Sequence, residues 1–216
     1  MSDLTVHFVR HGESLANHYD RSGEPRPADW DRLSDLGWEQ ARGLGRRLHG
    51  HDLELIVAST MTRARETGEG IAEVLDVPIE SDPDLHEYKQ SDAFYETMPP
   101  VAELGMLSWM PQSPRDHAEP GAESFDEAVA RVHRARARLE ERAGQRLVVV
   151  SHFNFLHFFL GVVLFGDAFG PEHLIPLHQA SHANTGITIF EKRTRVLDGF
   201  DLSGWGLTTW NDQAHL

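Results

Sequence analysis

Two arginines and two histidines follow short apolar runs. Arg10 and His11 come after "LTVHFV" (4–9), Arg63 just after "LELIVAS" (53–59), and His152 after "QRLVVVS" (145–151). Guanidinium forks match the oxygens of a tetrahedral dianion bidentately. Arg63 falls in the first turn of a helical stretch, whose N-terminal N–H groups add donors and partial positive charge. Brought onto one rim, these groups make a pocket for a phosphate-like anion. Taken singly, each has an ordinary reading. Arg10 is then a solvated charge at a strand end, and His152 a hydrogen-bonded core histidine. The position shared by all three runs is what argues for a site.

The elements between them support that placement. Ser34 can cap a helix in which Ala41, Leu44 and Leu48 recur at helical spacing. A helix over 62–75 and a short strand over 77–82 follow. The clearest helix spans 123–144, with Phe125, Ala128, Val129, Val132, Ala135 and Leu139 on one face and Gly144 at its stop. "GAES" (121–124) reads as its cap, and the basic run "RVHRARARLEER" as its solvated face. An apolar helix runs from 152 to about 165, and 185–201 reads as two strands around a turn at 192–194. Strands alternating with helices imply an α/β fold: a three-layer α/β/α sandwich on a mostly parallel sheet. Such sheets bind ligands at the carboxyl ends of their strands. Residues 1–216 read as a single domain, with an irregular, proline-rich insertion at about 83–121 that holds a helix near 91–108.

Composition narrows the classes further. The formal net charge of −14 argues against nucleic acid as partner. A locally positive site must work against that global field, but the field is screened over about 8–10 Å. A direct charge pair at 4 Å is worth roughly 4 kcal/mol at an effective dielectric near 20. The chain has no cysteine, which excludes thiolate catalysis and Cys-ligated metal. "FFLGVVLF" (158–165) is too short to span a bilayer and reads as a buried helix. With no signal-like run after Met1, the expectation is a cytoplasmic protein that meets no membrane; a homodimer stays open.

"VRHGESLAN" (9–17), "LSDLGWEQA" (33–41), "STMTRARET" (59–67), "DLHEY" (84–88) and "VVVSHF" (148–153) together resemble the motifs of the histidine phosphatase superfamily, and "NTGITIF" (184–190) also fits. The resemblance implies a phosphoglycerate mutase-like fold and a reaction without cofactor or metal. It makes His11 the nucleophile that becomes a phosphohistidine. Arg10, Arg63 and His152 then hold the phosphoryl oxygens, with a further hydrogen bond from Asn17. Glu87 becomes the acid that protonates the leaving oxygen and later activates water. That acid needs surroundings that favour its protonated form. Gly12 lets the backbone turn close to the anion.

The chain also departs from the family. Phe153 stands where glycine usually follows the second histidine. After Glu87, "YKQSDAFYE" (88–96) lacks the arginine–histidine–tyrosine–glycine stretch of mutases and the glycine–tryptophan–glutamate stretch of many small phosphatases. Asp84 and Glu96 are therefore alternatives to Glu87. The expectation is a phosphatase acting on a small phosphorylated metabolite. A mutase using the same pocket and an inactive phospho-ligand module are the rivals. His173, His178 and His182 invite a metal reading, but ordinary surface or core histidines are the better one.

Overall fold

The computed structural model describes residues 4–22, 27–91, 120–201 and 203–216. The helix expected near 91–108 and the alternative acid Glu96 lie outside the described residues, as does most of the 83–121 insertion.

Eight strands and six helices alternate in the described chain. They are β1 (Leu4–Arg10), α1 (Leu15–Ser22), α2 (Asp35–Leu48), β2 (Leu55–Ser59), α3 (Thr62–Leu75) and β3 (Ile79–Asp82). After the insertion come α4 (Phe125–Glu140), β4 (Leu147–Ser151), α5 (Phe153–Phe165) and α6 (Pro171–His178). The chain ends in β5 (Ile187–Arg193), β6 (Val196–Leu197), β7 (Phe200–Asp201) and β8 (Gly204–Asp212). Six strands form one sheet in the order β3-β2-β4-β1-β5-β8. The first four are parallel, and β5 runs antiparallel to both β1 and β8.

Strand alternation divides the core between the two faces of the sheet. Leu4, Val6 and Phe8 of β1, with Val149 and Phe190, pack under α4, α5 and α6. Val9, Ile56, Ala58, Val148 and Val150 pack under α2 and α3. The result is the expected α/β/α sandwich. Helix α5 is buried along most of its length. No helix among the described residues is long and apolar enough to cross a membrane.

The caps follow local chemistry. Ser34 Oγ accepts from the Gly37 amide at the start of α2, and Ser124 with Glu127 forms a reciprocal capping box on α4. Helix α4 stops at Glu140, four residues short of the expected end, and Gly144 turns the chain out at φ +93°.

Three elements differ from expectation. Helices α1 and α6 stand where no element is expected. The terminal turn lies not at 192–194 but at Asp198–Gly199, where φ is +50° and +85°. An Asp-Gly pair of this kind suits a tight two-residue hairpin. That hairpin joins only β6 and β7; the antiparallel partner of β5 is the later, glycine-containing β8.

Candidate active site

The parallel register brings the three strand ends together. Arg10 lies opposite Ser151, and Ala58 opposite Val150. Arg10, His11, Ser59 and His152 thus meet at one edge of the sheet, and α3 begins beside them with Arg63.

His11 is fixed in one protonation pattern. Its Nδ1 lies 2.7 Å from the Gly12 carbonyl oxygen, which can only accept, so Nδ1 carries the proton. Arg63 Nε donates to His11 Nε2 at 3.0 Å, so Nε2 presents a lone pair. The ring is buried, and burial first, then Arg63 and Arg10, hold it well below the usual imidazole value.

His152 lies beside it, with ring centroids 5.2 Å apart. Burial, then Arg63 and His11, keep this imidazole well below its usual value too. Ser59 Oγ accepts from the Met61 amide (3.3 Å) and stands 2.8 Å from His152 Nε2. His152 Nδ1 is buried without a partner among the described residues. Arg10 Nε is buried and unpartnered in the same way. Its Nη1 donates to the His182 carbonyl at 2.7 Å. Burial is the main cause lowering the Arg10 guanidinium to about 10; Glu87 opposes it, while Arg63 and Arg21 add to it. A buried polar atom left unpaired costs about 1–3 kcal/mol, and Arg10 Nε and His152 Nδ1 are both of that kind among the described residues.

Glu87 sits at the N-terminus of α5. Its carboxylate accepts from the main-chain amides of Tyr88 (2.8 Å), Asn154 (3.1 Å) and Phe155 (3.3 Å). Asp84, the alternative acid, is committed elsewhere. Burial pushes its carboxyl up, but Arg134 and Arg138 outweigh this and hold it below the usual range. Asn17 Oδ1 accepts from Asn184 Nδ2 at 3.2 Å and from the Ser14 amide at 3.4 Å. Its main-chain amide donates to Ser14 Oγ at 3.2 Å.

Several supporting residues escape sequence reasoning. Asp31 forms an ion pair with Arg63 and accepts from the Thr62 amide (2.8 Å), anchoring the start of α3. Asn184 also donates to the His11 carbonyl at 2.9 Å. Arg131, assigned above to a solvated face, is only 9% exposed. It bonds Glu123 through Nε (2.7 Å) and Nη2 (2.6 Å), and the carbonyls of Asp84 (3.0 Å) and His86 (2.6 Å) through Nη1. It therefore pins the loop that carries Glu87.

Gly12 serves close packing rather than a turn. A Cβ there would lie 2.6 Å from the Gly37 carbonyl oxygen, and one on Gly37 would lie 2.1 Å from that of Glu13. The two motif segments are pressed backbone to backbone. The three histidines considered for metal are otherwise engaged. His173 Nδ1 accepts from the Gly170 amide, His178 bonds Leu174 and Asn154, and His182 bonds Thr188. Among the described residues, no group of three or more histidines and carboxylates is arranged to hold a metal.

The family model of the histidine phosphatase superfamily (branch 1) matches residues 6–213. The chain belongs to that superfamily. A Salmonella choleraesuis protein, named a probable phosphoglycerate mutase GpmB, is 29% identical over 99% of this chain and 95% of its own length. Bacillus stearothermophilus YhfR superposes with a TM-score of 0.73 at 25% identity, covering 98% of both chains. A mycobacterial glucosyl-3-phosphoglycerate phosphatase does so with a TM-score of 0.69 at 21% identity, over 98% of this chain and 100% of that one. The superfamily comprises phosphatases and mutases, so an enzyme of one of these kinds is what the chain encodes.

Proposed function

We propose that the protein is a metal-independent phosphatase that hydrolyses phosphate monoesters through a phosphohistidine on His11. One observation carries this reading. His11 is held in its neutral form, with Nδ1–H on the Gly12 carbonyl and Nε2 left as an acceptor that faces Arg63. A nucleophile needs that state, and the surrounding charge suits a phosphoryl group.

In the first step Nε2 attacks phosphorus and the bond to the leaving oxygen breaks. Glu87 gives that oxygen a proton, while Arg10, Arg63 and His152 neutralise charge on the phosphoryl oxygens. In the second step water attacks phosphorus, the nitrogen–phosphorus bond breaks, and Glu87 takes the water's proton. The two guanidiniums supply the positive charge, so the scheme calls for no metal, and added chelator leaves the rate unchanged. Small phosphorylated metabolites are the substrate class, matching the glucosyl-3-phosphoglycerate phosphatase neighbour.

The mutase reading is favoured by the name of the Salmonella relative. The sequence after Glu87 favours hydrolysis, because it lacks the mutase stretch. Incubation with 3-phosphoglycerate separates the two. Inorganic phosphate release supports hydrolysis; isomerisation that depends on a bisphosphate primer supports the mutase. Turnover of p-nitrophenyl phosphate by wild type and His11→Ala tests the nucleophile. The expected loss is at least 10³-fold, and equal rates would remove His11 from the mechanism.

A further inference from the structure

Arg10 is held from two sides. On one side its Nη1 donates to the His182 carbonyl (2.7 Å). That carbonyl is itself fixed. Asn211 Oδ1 accepts from the Ala183 amide at 2.9 Å, and His182 Nε2 bonds Thr188 Oγ1 at 2.8 Å. On the other side the guanidinium lies over the Phe153 ring, 5.3 Å from its centroid. Phe153 is half-buried and backed by His157, whose ring centroid is 4.3 Å away, and by His178 at 5.5 Å. Those two imidazoles stack on each other at 4.6 Å with an interplanar angle of 11°. The ring therefore has little freedom to turn.

From this bracket we infer that Phe153 is a positioning residue for Arg10. Its face fixes the plane of the guanidinium, so that the unpartnered Nε points toward the phosphate site rather than into the protein. A glycine at this position offers no such face. A cation over an aromatic ring is attracted by the negative face of the ring, and more so where water is partly excluded. This inference rests on Arg10 being a phosphate ligand, as in the reading above.

The ring also adjoins Asn154, whose amide bonds Glu87, so selection of leaving groups is the competing role for it. Orthovanadate binding, measured by calorimetry, separates the two because vanadate has no leaving group. Phe153→Leu is expected to weaken vanadate about 3- to 10-fold. Phe153→Tyr keeps the ring and is expected to stay within about twofold of wild type. In an Arg10→Ala background, Phe153→Leu has no further effect. On turnover, Phe153→Leu lowers kcat/KM by one common factor for benzyl phosphate and glycerol 3-phosphate.

Unchanged vanadate affinity in Phe153→Leu overturns the inference. So does an equal loss in the Arg10→Ala background. Unchanged affinity with unequal losses for the two esters makes the ring a leaving-group wall instead. A wild type that binds vanadate but hydrolyses neither ester contradicts the phosphatase reading, while the vanadate cycle still decides the role of Phe153.

Discussion

At the residue scale, the site depends on where protons sit and how closely backbones meet. Arg10, His11, Arg63 and His152 were legible in sequence because each follows a short apolar run, and such runs mark strand ends. Asp31, Asn184 and Ser59 were not. They carry no periodic signal, and the bonds that tie them to the site reach 31 to 173 residues along the chain. Gly12 was legible as necessary, but for the wrong reason: its constraint is the Gly37 carbonyl. Gly12→Ala is expected to destabilise the fold by about 1–3 kcal/mol through overpacking. It should also lower kcat/KM on the order of 10²-fold, because the loop next to His11 must shift. Urea titration and steady-state kinetics check both, and a variant of wild-type stability would show that the two segments yield freely.

At the element scale, helix α4 does more than cover the sheet. Its apolar face and its Ser124 cap were readable from spacing alone. Its charged face was not, since helical periodicity shows which residues share a side and not what meets them. Arg131 ties down both sides of the Glu87 loop, and Ser151 Oγ adds a bond to the Leu85 carbonyl at 2.7 Å. Arg131→Lys loses the fork, so kcat is expected to fall about 10-fold or more, with vanadate affinity little changed, because the acid moves and the phosphate ligands do not. Thermal denaturation run alongside separates this from unfolding. An equal loss of vanadate affinity would show that α4 supports the whole pocket. The C-terminal strands were only half legible. The Asp198–Gly199 turn was missed, and the glycines of β8 hid a strand whose hydrogen-bonding partner lies across a small hairpin.

For the whole molecule, the parallel sheet and both helical layers followed from the alternation of runs. The sheet order did not, because it is set by packing between segments far apart in sequence. Among the described residues the fold buries five histidines, His7, His11, His152, His157 and His182. Burial lowers each below the usual value, His182 to about 3. The unfolded chain takes up protons as pH drops through about 6.5, while the folded one resists until lower pH. Stability is therefore full above about pH 6.5 and lost as pH falls toward the folded values. Each histidine contributes up to about 1.4 kcal/mol per pH unit in that window. The urea midpoint is expected to drop steeply between pH 7 and pH 5, and a flat profile would mean that these imidazoles are not held neutral.

The central claim is the covalent intermediate. Glu87→Gln cannot shuttle the proton, but p-nitrophenolate leaves without one, so with p-nitrophenyl phosphate the phosphoenzyme should still form, break down slowly and accumulate. After mixing with the radiolabelled ester and quenching in alkaline denaturant, acid-labile label is expected on the one peptide that carries His11. His11→Ala should give none. Continued phosphate release with no labelled peptide, or equal labelling of His11→Ala, would contradict the account.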